Sequence, residues 1–372
     1  MNDEQEQKYE PGSNRSSAAG LSWRSEFDLI NYIQRRAAPL PSSESSSQHS
    51  DLITGIGDDA AVLKQLTGRE TVVTADLLVE DIDFRRETTQ ARLLGHKALA
   101  VSLSDIAAMG ARPRWALLSL GIPQDVWNSD FVDEFYEGFF ALADRYCVRL
   151  IGGDVSRTAE KIVIDSIVMG ECTGGHSVLR SGAKPGDQLF VTGSLGGSAA
   201  GLRLSERGAR FKKSDAQELE HQDARWITHL LFRHLCPEPR VGWGLVLGQE
   251  GLASAMIDIS DGLSSDVHHL SRASGGVGAT IESALLPIDS QVTELCGRRA
   301  LDPLILALHG GEDFELLFTV RSENLKRLPA KVDGVSITRI GEITESSVGV
   351  RVAEGTRVWD LEPGGWEHFK KG

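Results

Sequence analysis

The chain has 372 residues, 41% hydrophobic and 25% charged, a globular balance that excludes a chain disordered throughout or a collagen-like repeat. Asp and Glu outnumber Lys and Arg by 53 to 39, and the formal net charge of −14 excludes a general binder of nucleic acid or anionic membrane. Cys147, Cys172, Cys236 and Cys296 are far apart and form no CxxC pair, which excludes a zinc framework or a small disulfide scaffold.

Residues 1–24 are polar and rich in Gly, Ser and Asn. They read as a disordered tail without the apolar stretch of a secretory signal, which points to a cytoplasmic protein. No apolar run approaches the roughly 18–20 residues of a membrane span. Order is expected from Ser25, where Ser25-Glu26-Phe27-Asp28 opens a helix with Phe27, Ile30 and Ile33 at helical spacing. Pro39 and Pro41 end it, and the serine-rich stretch 42–50 reads as a low-complexity loop. Thr71–Ala75 then reads as a strand ended by Asp76, and residues 90–109 as a helix closed by Gly110 and Pro113. A strand at Trp115–Ile122, a helix over 129–146, a short strand at Arg149–Ile151 before Gly152-Gly153-Asp154, and a strand at Ile162–Met169 follow. Pro and Gly cluster near 180–187, which divides the chain into an N-terminal domain over 25–180 and a C-terminal domain over 181–372. The second half opens with a strand at Gln188–Thr192, a Gly-rich turn and an Ala-rich helix, with a charged surface excursion over 204–222. A strand near Ala255–Ile259, a helix from Asp261 to about Ala273 and a strand at Phe314–Val320 complete an α/β (α+β) pattern.

Five acidic positions share one local pattern, a carboxylate in a Gly-rich or Ser-rich turn after a β run. They are Gly57-Asp58-Asp59, Thr74-Ala75-Asp76, Gly152-Gly153-Asp154, Asp258-Ile259-Ser260-Asp261 and Gly310-Gly311-Glu312-Asp313. Ligand sites in open α/β sheets lie beyond strand ends, and carboxylate and hydroxyl oxygens suit Mg²⁺. At any one position, the alternative is an Asp that bonds its own turn. Asp105 shares a helix face with Leu94, Ala98, Val101 and Ala108, so it points inward and needs a cation or strong donor. A metal ion and a salt bridge to Arg112 or Arg114 would each meet that need. Asp258 shares a strand face with Ser260, while Asp261 falls at the start of the next helix, as N-cap or as a second metal ligand. There is no GxxxxGK[ST] loop, protein-kinase set, GxSxG elbow or HExxH motif. Gly193–Ser198 is an imperfect dinucleotide fingerprint or a helix-packing turn, and His268-His269 reads as ordinary surface.

The ordered motifs GIGDDAAV (55–62), TADLLVEDIDF (74–84), KALAVSLSDIAAMGARP (97–113), LIGGDVSR (150–157), LRSGAKPGDQLFVTG (179–193), IDISDGLSSD (257–266), GGEDFELLF (310–318) and GGWEHF (364–369) together resemble the thiamine-monophosphate kinase family. That family belongs to a superfamily of ATP-using synthetases with aminoimidazole ribonucleotide and selenophosphate synthetases. The resemblance implies a two-domain synthetase-like fold, a homodimer joined through the N-terminal sheets, and transfer from ATP to thiamine monophosphate, giving thiamine diphosphate and ADP. Carried over by position, Asp59, Thr74, Asp76, Asp105, Asp154, Asp258 and Asp261 are implied Mg²⁺ ligands. Gly153, Asp154, Arg180 and Ser260 resemble ATP-contacting positions, and Asp83, Glu312 and Trp366 resemble thiamine-contacting ones. Position 83 departs from the family, many members of which carry His before the Phe, here Phe84. Selenophosphate synthetases carry a reactive Cys or selenocysteine near the N-terminus, whereas the first Cys here is Cys147. Another synthetase of the superfamily, or a catalytically silent metal- or nucleotide-binding homologue, are the alternatives.

Overall fold

The computed structural model describes residues 26–37, 52–54, 56, 61–63, 67–211, 222–299 and 301–366. The expected tail, the serine-rich loop 42–50 and Asp59 lie outside the described residues. The first half contains α1 (Glu26–Ala37), β1 (Leu52–Thr54), β2 (Val62–Leu63), β3 (Arg69–Val79), α2 (Ala91–Ala108), β4 (Arg112–Ile122), α3 (Gln124–Trp127), α4 (Phe131–Arg145), β5 (Arg149–Arg157) and β6 (Val163–Thr173). The larger strands form a sheet in the order β3-β6-β4-β5, with β5 parallel to β4 and the other pairs antiparallel.

Helix α2 is the spine of the molecule. A surface helix shows one apolar stripe, whereas ARLLGHKALAVSLSDIAA is apolar or small nearly all round, the pattern of a helix buried on every side. It packs on α4 and on β3, β4 and β6. The other face of that sheet is open at β3 among the described residues: Val73 and Leu77 are 59% and 57% exposed.

The second half contains β7 (Gln188–Thr192), α5 (Gly197–Glu206), α6 (Gln222–Leu235), α7 (Val241–Gln249), β8 (Ala253–Asp258), α8 (Leu263–Ala273), β9 (Gly278–Glu282), α9 (Ser290–Arg299), α10 (Pro303–His309), β10 (Leu316–Val320), β11 (Lys331–Val332), β12 (Val335–Thr344), β13 (Val350–Glu354) and β14 (Arg357–Asp360). Its sheet runs β14-β13-β9-β12-β7-β10-β8, with β11 paired to β12. Period-2 alternation sends its side chains into two cores. Phe190, Met256, Leu316 and Phe318 join the core that contains α2, whereas Leu189, Val191, Ile257 and Leu317 join a second core with Leu263 and Val267 of α8. The two halves therefore share hydrophobic packing as well as polar contacts. Among the described residues no helix is long and apolar enough to cross a membrane, and all four cysteines are free thiols.

Three local expectations change. The strand expected to end at Asp76 runs on to Val79, and that expected at Arg149–Ile151 runs on to Arg157. Asp76 pairs with Ser166 and Asp154 with Ser119, so both carboxylates stand inside strands rather than in turns. Partner strands satisfy the backbone there, which overrides the poor strand propensity of Gly and Asp. Helix α8 begins at Leu263 with Gly262 at its cap, so Asp261 lies just outside the helix.

Candidate active site

Three side chains of α2 gather the acidic groups of both halves. Ser102 Oγ donates to Asp76 Oδ2 at 2.7 Å and lies 3.1 Å from the Ser166 carbonyl. Ser104 Oγ donates to Asp258 Oδ2 at 2.8 Å, across the boundary between the halves. Asp105 Oδ2 accepts from Thr74 Oγ1 at 2.5 Å. Thr74 and Asp76 alternate with the exposed Val73 and Leu77 along β3 and so face α2. Asp258 is the buried last residue of β8. Arg114 pairs with Glu171.

These carboxylates are held against their own preference. Burial, then repulsion from Asp105, pushes Asp76 up to about 6, while the Ser102 hydroxyl opposes the rise. Burial also raises Asp105, against the Thr74 hydroxyl and the Arg180 charge. Asp258 is pushed up to about 7 by burial and then by Asp105. Asp266, on α8, reaches about 8 through burial and the charges of Asp258 and Asp261. Arg180 works in the opposite sense on Asp105, Asp258 and Asp266. Crowded, partly dehydrated oxygen donors with little opposing charge fit a hard divalent cation such as Mg²⁺.

A second group of residues adjoins the Asp261 turn. The loop before β10 returns antiparallel to the chain after β8, with Glu312 N–H donating to Ser260 O at 2.7 Å and Phe314 N–H to Ile259 O at 2.9 Å. The carboxyl-terminal stretch lies over the same turn: Gly364 N–H and Gly365 N–H donate to the hydroxyls of Ser264 and Ser265 at 3.2 and 3.1 Å, and Trp366 N–H donates to Asp261 O at 3.1 Å. A Cβ on Gly365 would stand 2.1 Å from Asp261 O, so only glycine permits this approach. The Glu312 carboxylate meets Lys97 Nζ at 2.7 Å and His234 Nδ1 at 3.1 Å. Burial alone would raise its pKa, but the Lys97 ammonium and His234 outweigh that and hold it at about 2.

Thr74, Asp76, Asp105 and Asp258 thus come together around α2, and Ser260, Asp261, Glu312 and Trp366 meet through backbone contacts. Asp83 instead accepts from Val79 N–H at 2.8 Å and closes its own turn. Asp154 and Gly153 stand on β5, the opposite edge from β3, so three strand spacings, about 14 Å, separate Asp154 from Asp76. Asp154 pairs with Ser119, Ser119 in turn with Asp165, and Asp165 with the exposed Leu77, so Asp154 faces the open side of the sheet and Asp76 the helix side. Asp313 accepts from Gly196 N–H and Ser198 N–H at 2.6 and 3.1 Å, so Gly193–Ser198 acts as a helix-packing turn with these two amides already used. The two adjacent histidines diverge. His268 Nε2–H donates to Leu361 O at 2.6 Å, whereas His269 turns to Asp261, and its ring with Asp261 and Asp266 offers ligand atoms within 4.8 Å of one another. His269 thus stands beside the acidic turn with its side chain 42% exposed, in keeping with a surface position.

Lys97, Ser102, Ser104, His234 and Asp266 carry no signal of their own in the sequence. Lys97, Ser102 and Ser104 lie in the same motif as Asp105, but nothing local reveals partners on β3, β8 and the loop before β10.

Residues 57–172 match the family of AIR synthase related protein, N-terminal domain, and residues 184–353 that of its C-terminal domain. The chain is 38% identical to the thiamine-monophosphate kinase of Bacillus subtilis (strain 168) over 350 residues, 93% of this chain and 99% of that one. It superposes on the crystal structure of thiamine-monophosphate kinase from Stenotrophomonas maltophilia K279a with a TM-score of 0.74 at 37% identity, covering 88% of this chain and 96% of that one. A structure of AaThiL complexed with AMPPCP and TMP aligns with a TM-score of 0.70 at 34% identity, over 92% of this chain and 97% of that one.

Proposed function

This chain belongs to the thiamine-monophosphate kinase family, and we propose that it transfers the γ-phosphoryl group of ATP to thiamine monophosphate, giving thiamine diphosphate and ADP. It is an enzyme, a kinase of thiamine diphosphate biosynthesis. The observation that carries the reading is the gathering of Thr74, Asp76 and Asp105 from one half and Asp258 from the other around a single buried helix.

Two polyanions must meet, and an acidic protein repels both. Thr74, Asp76, Asp105 and Asp258 would hold Mg²⁺, with Asp59 and Asp261 as further donors and Asp154 as a donor across the subunit junction, and the metal would supply the positive charge that offsets this repulsion. Ser102 and Ser104 fix two of those carboxylates from behind. Arg180 adds a fixed positive charge for the ATP phosphates, with Gly153 and Ser260 as backbone neighbours of the nucleotide. Trp366, with its side chain exposed, offers a flat surface to the heteroaromatic acceptor, and Glu312 offers an anion to its positive ring. Asp83 is the third position proposed at the thiamine, in place of the family's usual His. The acceptor phosphate, with a second pKa of about 6, is largely dianionic at pH 7 and attacks without a general base. Transfer is direct and in line, with no phosphoenzyme.

The exposed apolar residues Val73 and Leu77 on the open face of the N-terminal sheet favour a homodimer through that face. Asp154 shares the face, so it is proposed to act in the site of the partner subunit or at the junction of the two. The division at residues 180 and 181 and a cytoplasmic setting complete the proposal.

The test is ³¹P NMR of the purified protein with Mg-ATP and thiamine monophosphate, beside controls without metal and with free thiamine. Thiamine diphosphate and ADP should appear together, only with metal and only from the monophosphate. ADP without thiamine diphosphate would move the reading to a related synthetase. Untouched ATP in folded protein would leave a catalytically silent homologue.

A further inference from the structure

Lys97 is 2% exposed, yet its ammonium ends on Glu312. A buried ion pair is a weak device for stability, since apolar side chains of similar volume hold two halves together as well or better. The pair therefore calls for another reason. Three observations supply it. The Glu312 backbone is left-handed, with φ 62°, and so is that of Phe314, with φ 49°; non-glycine residues rarely adopt this region, and such strain concentrates at functional sites. Both Glu312 carboxylate oxygens are engaged, by Lys97 and by His234, yet the side chain remains about a third exposed, and its backbone is tied to the Ser260–Asp261 turn on which the Trp366 N–H also bonds. Lys97 also stands on α2, two helical turns before Ser104, on the helix that holds Asp76, Asp105 and Asp258.

We infer that Lys97 is a positioning residue that fixes the Glu312 carboxylate toward the bound thiamine moiety and ties it to the helix ordering the phosphate side. The inference rests on the reading of Glu312 as a thiamine contact. His234 steadies the second oxygen and is itself in contact with Ser198 Oγ at 3.2 Å. Without the ammonium, Glu312 loses its direction and the main charge that holds it ionised against burial, so acceptor binding suffers while the nucleotide side is spared.

The test is steady-state kinetics of the Mg-loaded full chain with Lys97→Met, Glu312→Gln and the double variant. Lys97→Met should raise KM for thiamine monophosphate about tenfold or more and leave KM for ATP within about twofold, the signature of lost acceptor binding. Adding Glu312→Gln to Lys97→Met should cost less than about threefold further, because the two residues act as one unit. A Lys97→Met protein with a lowered Tm but unchanged KM for thiamine monophosphate would make the pair a brace between halves and overturn the inference. If Glu312→Gln alone leaves that KM unchanged, the reading of Glu312 itself fails, and the inference with it. Should Lys97→Met not fold, His234→Asn keeps the Lys97 pair and should raise the same KM about threefold with KM for ATP unmoved; no change there would also overturn it.

Discussion

Asp105 shows how much one side chain carries here. Its carboxylate takes the Thr74 hydroxyl at 2.5 Å and pushes both Asp76 and Asp258 toward their neutral forms. Asp105→Asn keeps an acceptor for Thr74 and removes the charge. We expect turnover to fall about 100-fold or more, on the scale of losing one directed charge in an active site. Metal-free Tm should hold or rise, because a repelling anion has gone from a dehydrated cluster. Calorimetry beside the kinetic assay checks both; wild-type turnover would remove Asp105 from the site. Sequence periodicity was enough to turn this carboxylate inward, since four apolar residues share its face. It was not enough to choose between metal and arginine, because Thr74, Asp76 and Asp258 reach it only through tertiary packing.

Among the elements, the carboxyl-terminal stretch and α2 differ in how they were readable. The boundaries of α2 are clear in the sequence, since Ala and Leu dominate it and Gly110 and Pro113 follow. What stands around it is not, because a helix buried on every side shows no preferred face. The β5 region is hard to read for a related reason: Gly152-Gly153-Asp154 looks like a turn until β4 supplies the ladder. The Gly364-Gly365-Trp366 motif has a physical cause that appears only in the fold, namely the approach of Gly365 to Asp261 O. Gly365→Ala should therefore lift the stretch from the Asp261 turn at a cost of about 1–3 kcal/mol, the usual price of forcing a methyl group into filled space. Thermal unfolding measures that loss, and KM for thiamine monophosphate should rise with it. An alanine variant with unchanged Tm and KM would show the contact to be dispensable. Ser104→Ala tests the other element: loss of its hydroxyl should weaken Mg²⁺ binding about 10–100-fold by titration.

For the whole molecule, the acidic centre sets a pH dependence of unusual sign. Asp76, Asp258 and Asp266 titrate near 6, 7 and 8 in the native protein, against an ordinary value of 3.8. Between those values the native state holds more protons than the unfolded chain, so metal-free stability rises as pH falls through that window. In EDTA, Tm should be higher at pH 6 than at pH 8. Mg²⁺ should raise Tm most at pH 8, where the carboxylates are free to bind it. A metal-free Tm that climbs with pH would contradict the cluster as described. The open sheet face gives a second prediction at this scale. Leu77→Glu places a charge among exposed apolar residues, so the protein should pass from dimer to monomer by light scattering and lose activity; a monomeric wild type would contradict the proposed pairing.

Helix α2 has no spare side: nearly every position is committed to a core, to a carboxylate or to Glu312. A saturation-mutagenesis map should therefore show an almost unbroken intolerant stretch across it, with no three-to-four-residue rhythm of permitted change. Evolutionary drift along this helix would have to proceed by compensated pairs, one change in α2 with another in β3, β8 or the loop before β10.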